Sequence, residues 1–177
     1  MRVNLILTGM RCSGKSAIGR VLAKNLRRKF FDFDREIEKR AGATIPEIVK
    51  KFGWEKFREL ETDVCREFSK LENCVFAPGG GALIFPQNLK FFQNGNAKII
   101  FLNLPVKILA ERIAKKSDRP SLTGENFVDE LQQVWSERKE KYFAAADLIF
   151  TPKFHAPARE NAAGLQKEIV KKFFQKS

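Results

Sequence analysis

Short, nearly unbroken apolar runs alternate along the chain with longer stretches in which apolar residues recur every three or four positions. The runs cover residues 3–7, 29–33, 74–77, 97–102 and 147–151. Segments this short and this continuously apolar are expected of strands buried on both faces of a parallel sheet. Helical spacing predicts a helix over 15–28, with Ile18, Val21, Leu22 and Leu26 on one face. Thr44 and Glu47 have capping-box spacing and predict a short helix starting there. A longer helix follows Gly53, with Phe57, Leu60, Val64 and Phe68 as its stripe. Further helices are predicted over 86–94 (stopped by Gly95), 106–115 (begun by Pro105), 125–143 and 158–175. Alternating strands and helices define an α/β fold. No linker composition and no internal repeat interrupts the pattern, so residues 1–177 are expected to form one domain.

Composition narrows the class further. The 177 residues carry 33 Lys plus Arg against 21 Asp plus Glu, a formal charge of +12. That excess suits an anionic partner: a nucleotide, a phosphorylated or carboxylated metabolite, or nucleic acid. The basic residues are scattered rather than blocked, so nucleic-acid binding rests on charge alone and is not expected. Three cysteines, Cys12, Cys65 and Cys74, with no C-x-x-C pair, exclude a disulfide scaffold and fit a reducing cytoplasm. No apolar run approaches the roughly 20 residues of a membrane span, and none is expected. The first residues reach Gly9 without the features of a cleavable leader.

The most specific chemistry lies between the first predicted strand and the first predicted helix. Gly9-Met10-Arg11-Cys12-Ser13-Gly14-Lys15-Ser16 fits G-x-x-x-x-G-K-[ST] in the strand–loop–helix context that motif requires. Successive backbone N–H groups and a helix N-terminus there would cradle phosphate oxygens. Lys15 would reach the β- and γ-phosphates, and the Ser16 hydroxyl would ligate Mg²⁺. Arg11, Cys12, Ser13, Gly14, Lys15, Ser16 and Ala17 are the expected contacts to a nucleoside triphosphate. No N-K-x-D guanine signature occurs, and helicases and motors carry more chain, which favours a small-molecule kinase.

Asp32 and Asp34 flank Phe33 where the second strand ends. In an extended chain residues two apart share a side, so both carboxylates could face the cleft beyond the strand ends. Asp32 could then hold the Mg²⁺ shell and Asp34 an attacking hydroxyl. Two acids capping the next helix would explain the pair equally well. Gly79-Gly80-Gly81 follows the third strand and would let backbone approach a ligand closely; a flexible turn is the alternative. Arg58 lies in a predicted helix whose other charges, Glu61 among them, read as solvated surface.

These features together resemble the shikimate kinase family over nearly the whole chain. The matching elements are the phosphate loop, Phe31-Asp32-Phe33-Asp34, Phe57-Arg58-Glu59, Gly79-Gly80-Gly81, Asp118-Arg119-Pro120, and Ser136-Glu137-Arg138 followed by Tyr142. The resemblance implies a P-loop kinase of the nucleoside-monophosphate-kinase type, with a five-stranded parallel sheet of order 2-3-1-4-5 flanked by helices. It implies ATP-dependent phosphorylation of the 3-hydroxyl of shikimate by a monomer. It places Asp34, Arg58, Gly79, Gly80, Gly81 and Arg138 on shikimate, with the two arginines on its carboxylate. It also implies a lid over about 112–124, with Arg119 reaching the transferring phosphoryl and Arg112 and Lys153 near the adenine. Cys12 departs from the family's usual glycine, and Pro78 and Ser121 from its commoner residues.

Overall fold

The computed structural model describes residues 3–93, 96–114 and 127–175. Five strands pair in parallel in the order β2-β3-β1-β4-β5. They are β1 (Asn4–Thr8), β2 (Lys29–Asp32), β3 (Cys74–Ala77), β4 (Ala97–Leu102) and β5 (Leu148–Phe150). All five predicted strands are present, each within one residue of its expected ends. The helices are α1 (Lys15–Asn25), α2 (Phe33–Ala41), α3 (Ile45–Phe68), α4 (Pro86–Gln93), α5 (Val106–Ala114), α6 (Phe127–Ala145) and α7 (Ala158–Phe173). A single 3₁₀ turn, Ala82–Ile84, joins β3 to α4.

Consecutive residues of β1 point to opposite faces and are buried on both. Leu5 and Leu7 join Val75 and Ile100 under α1 and α7, against Ile18, Leu22, Leu165 and Ile169. Ile6 joins Phe76 and Ile99 on the other face, against Phe33, Ile37, Val64, Phe68 and Phe92 from α2, α3 and α4. Five phenylalanines, Phe31, Phe33, Phe68, Phe76 and Phe92, interlock there with ring centroids 4.8–6.2 Å apart. This gives the phenylalanine-rich composition a packing role, because such ring pairs add stability beyond the area they bury.

Two local features depart from the sequence pattern or sharpen it. Gly53 (φ 79°, ψ 172°) breaks α3 into two helices, as the spacing predicts, and the Thr44–Glu47 capping box starts the first. The helix α2 was not predicted. Only Phe33 and Ile37 are buried among its nine residues, too few to show a helical period. Its start is set instead by Asp32, whose carboxylate accepts a hydrogen bond from the Arg35 N–H. The extended chain therefore ends at Asp32, and Asp34 lies in the first turn of a helix. Asp32 and Asp34 thus do not share a side of a strand as expected, because a helix turns about 100° per residue. Most of the expected lid, including Arg119, lies outside the described residues.

Candidate functional site

The loop after β1 forms a turn in which the Ser13 N–H donates to the Met10 carbonyl (3.2 Å). Gly9 has φ 140°, and a Cβ there would lie 2.8 Å from the Leu102 carbonyl oxygen, so only glycine allows the loop to lie this close to β4. Gly14, at φ 100°, opens α1 with no side-chain cap, and no acid occupies the helix's first turn. The uncapped N–H groups and the positive end of the helix are left facing the loop. Lys15 Nζ donates to the Gly9 and Met10 carbonyls (3.0 and 3.1 Å). The Ser13 hydroxyl is buried and has no hydrogen-bond partner. Ser16 and Ala17 are exposed on the first turn of α1. Cys12 takes a left-handed conformation (φ 61°), which a side chain adopts at some cost.

Other elements close around this loop. Arg11 pairs with the nearly fully buried Glu130 of α6 (3.4 Å). Arg112 on α5 donates to the carbonyls of Cys12 (3.2 Å) and Phe154 (3.0 Å), bridging the loop to the segment after β5. Lys153 lies in that segment, next to Phe154 in sequence; its ammonium donates to Glu160 (2.7 Å) and its backbone N–H to Asn161 (2.7 Å).

The glycine run after β3 connects this loop to a second cluster of side chains. A Cβ on Gly80 would meet the Gly9 carbonyl oxygen at 3.3 Å and the Arg11 nitrogen at 3.5 Å, so Gly80 lies against the phosphate loop itself. On its other side the Gly80 carbonyl accepts from the buried Tyr142 hydroxyl (2.6 Å). A Cβ on Gly79 would lie 3.0 Å from Asp34 Oδ1 and 2.7 Å from Glu61 Oε1. A Cβ on Gly81 would lie 3.2 and 3.3 Å from the two terminal nitrogens of Arg58, and 3.5 Å from Arg138 Nη1. Three successive glycines thus carry, in order, two carboxylates, the phosphate loop and two guanidinium groups. Asp34, Arg58 and Arg138 come from α2, α3 and α6, and the structure brings them to one cleft as expected.

Glu61 is the residue that sequence reasoning misread. Its side chain is 1% exposed and its Oε2 accepts a short hydrogen bond from Arg58 Nη1, one helical turn away. Its Oε1, beside Gly79, has no hydrogen-bond partner. Burial pushes its carboxyl above the usual range; Arg58 pulls it back, and Asp34 adds to the rise. Burial likewise raises the Tyr142 hydroxyl, with Arg138 opposing. Spacing alone held a clue, since Arg58 and Glu61 are three residues apart and Val64 and Phe57, flanking them, belong to the buried stripe.

A parallel sheet of this order, with a phosphate loop between β1 and α1 and a polar acceptor cleft beside it, defines a P-loop kinase acting on a small molecule. The shikimate kinase family model matches residues 11–176. A shikimate kinase of Nitratidesulfovibrio vulgaris is 39% identical over 145 residues, 80% of this chain and 82% of that protein. The structure of an Acinetobacter baumannii shikimate kinase in complex with shikimate superposes with a TM-score of 0.91 at 32% identity, covering 99% of this chain and 97% of the other. The chain belongs to the shikimate kinase family. A gluconokinase from Sinorhizobium meliloti, at 16% identity and a TM-score of 0.55, shares the fold alone. Among the described residues no helix is long and apolar enough to cross a membrane.

Proposed function

We propose that this protein transfers the terminal phosphoryl group of ATP to the 3-hydroxyl of shikimate, giving shikimate 3-phosphate and ADP in the synthesis of aromatic amino acids. One observation carries the reading beyond family membership. Arg58 and Arg138 converge at Gly81, Asp34 lies at Gly79, and the residue between them packs on the phosphate loop. A carboxylate held at one end of this run puts the hydroxyls of the same small ring at the other, next to the phosphates.

Arg58 and Arg138 hold the shikimate carboxylate, where a guanidinium fork matches the two oxygens better than an ammonium would. Glu61 fixes the fork: by occupying Nη1 it leaves the remaining edge of Arg58 for the ligand. Asp34 accepts a hydrogen bond from the 3-hydroxyl, orients its oxygen toward the γ-phosphorus and receives the proton as the oxygen is phosphorylated. The Gly80 N–H contributes to ring orientation. Lys15 leaves the loop carbonyls to stabilise charge on the transferring group, and Arg119 adds to that charge stabilisation. The unpartnered Ser13 hydroxyl and the uncapped α1 amides suit a phosphate chain.

The Ser16 hydroxyl and the Asp32 carboxylate are hard oxygen donors of the type Mg²⁺ uses, and that ion commonly takes one or two protein ligands and completes its shell with phosphates and water. Bound with ATP, the ion neutralises phosphate charge. Asp32 is also the cap of α2, so the capping and metal-shell roles fall on one side chain. All assigned residues come from one chain, so the proposed site needs no partner subunit. A coupled ADP-release assay tests the reading: ADP should form with shikimate and not without it. Turnover of gluconate with none of shikimate would refute it.

A further inference from the structure

Arg58 is enclosed in a way that the family motif does not require. Its Cζ lies 4.9 Å from the centroid of Phe57, 5.6 Å from Trp54 and 5.2 Å from Phe85. Trp54 is one helical turn before Arg58 on α3, beyond the break at Gly53. Phe85 arrives from a different element, the end of the 3₁₀ turn that follows Gly81, and its carbonyl anchors the start of α4 by accepting from Asn88 and Leu89. Phe57 is buried, whereas Trp54 and Phe85 are 49% and 40% exposed. Three rings around one cation gain from its charge. They also decide what can stand beside it.

With Nη1 committed to Glu61, a carboxylate reaching Arg58 brings its own carbon, and the atoms on that carbon, against these rings. A phenyl ring offers no hydrogen-bond partner, so a hydroxyl on the carboxylate-bearing carbon would exchange water for an apolar neighbour where it meets Phe57 and Phe85. A planar carbon without a hydroxyl fits such a wall. We propose that Phe85, completing the wall begun by Phe57 and Trp54, makes the acceptor site selective for acids whose carboxylate sits on a planar, unhydroxylated carbon, and against 2-hydroxy acids. This rests on the shikimate reading. Shikimate bears its carboxylate on a ring double bond, whereas quinate and gluconate carry a hydroxyl on the corresponding carbon.

Calorimetric titration of the whole protein with shikimate and with quinate, for wild type, Phe85→Ser and Phe85→Leu, tests the proposal. Wild type should favour shikimate by about 100-fold, the usual scale on which an apolar wall rejects an added hydroxyl. Phe85→Ser should narrow the ratio to about tenfold or less, and Phe85→Leu, which keeps the apolar wall, should retain it. Phe85 is exposed, and unchanged ATP binding in each variant confirms an intact fold. A wild-type ratio preserved in Phe85→Ser overturns the inference, even if both affinities fall, because Phe85 would then only position Arg58. Equal losses of ratio in Ser and Leu variants overturn it too. A wild type that releases ADP with shikimate yet binds quinate equally well sinks the selectivity alone; one that takes no shikimate fails the proposed function first.

Discussion

The two halves of the cleft are built by different means. The nucleotide half is centred on one contiguous stretch, Gly9–Ala17, whose working groups are mainly backbone N–H groups and one lysine, with single side chains such as Arg112 added from elsewhere. The acceptor half is assembled from side chains on α2, α3 and α6 around three glycines, and no two of its charged members other than Arg58 and Glu61 are close in sequence. Backbone recognition of this kind depends on loop conformation and tolerates variation in side chains, as Cys12 illustrates. Side-chain recognition depends on each group being aimed by neighbours, as Arg58 is by Glu61 and three rings.

The largest effect separating the halves is expected at Lys15. Lys15→Ala should lower kcat by about 10²–10³-fold, the usual cost of removing one aimed charge-stabilising donor, while shikimate binding, followed by calorimetry, stays near normal. Normal turnover would place the charge stabilisation elsewhere. Arg58→Ala should reverse the pattern, raising the shikimate KM at least about 30-fold, as loss of a buried charge partner commonly costs 2 kcal/mol or more, with the ATP KM little changed. A variant that weakened ATP binding equally would erase the distinction between the halves.

Glu61→Gln sharpens the comparison through pH. A carboxyl raised in the folded state supports folding most while protonated; its contribution is full below the unfolded value of about 4.3 and is lost as pH rises through the folded value. Glutamine cannot ionise, so the stability of wild type relative to Glu61→Gln should decline as pH rises across that interval, measured by denaturant unfolding at several pH values. A gap that grows with pH would mean the Arg58 pair outweighs burial. The same variant should raise the shikimate KM by about three- to tenfold if Glu61 aims Arg58, the range between a neutral and a charge-assisted hydrogen bond. The smallest effect is expected at Cys12, where glycine relieves the left-handed conformation but loosens the unfolded chain. Cys12→Gly should raise Tm by about 1–3 °C at most, and a fall would show that the thiol's packing against the apolar cluster that includes Met10 and Leu109 matters more.

Much of the architecture was written in the hydrophobic pattern: the five strand-forming runs, six of the seven described helices, and the break at Gly53. The exception, α2, has two buried residues in nine and is dictated by its cap, a signal that sequence reasoning read as one of two alternatives for Asp32. No sequence pattern announces that the exposed Lys153 ammonium meets Glu160, seven residues on in the next helix.

The amino-acid sequence by itself determined the parallel sheet, the phosphate loop and the identity of the groups that could bind an acid, because these depend on local spacing and on residue chemistry. Only the tertiary structure decided that Glu61 is buried rather than solvated, that Asp34 reaches the cleft from a helix, and that Phe85 closes on Arg58. Burial and aim arise when segments distant along the chain pack together, and no local period records which neighbours a side chain will meet.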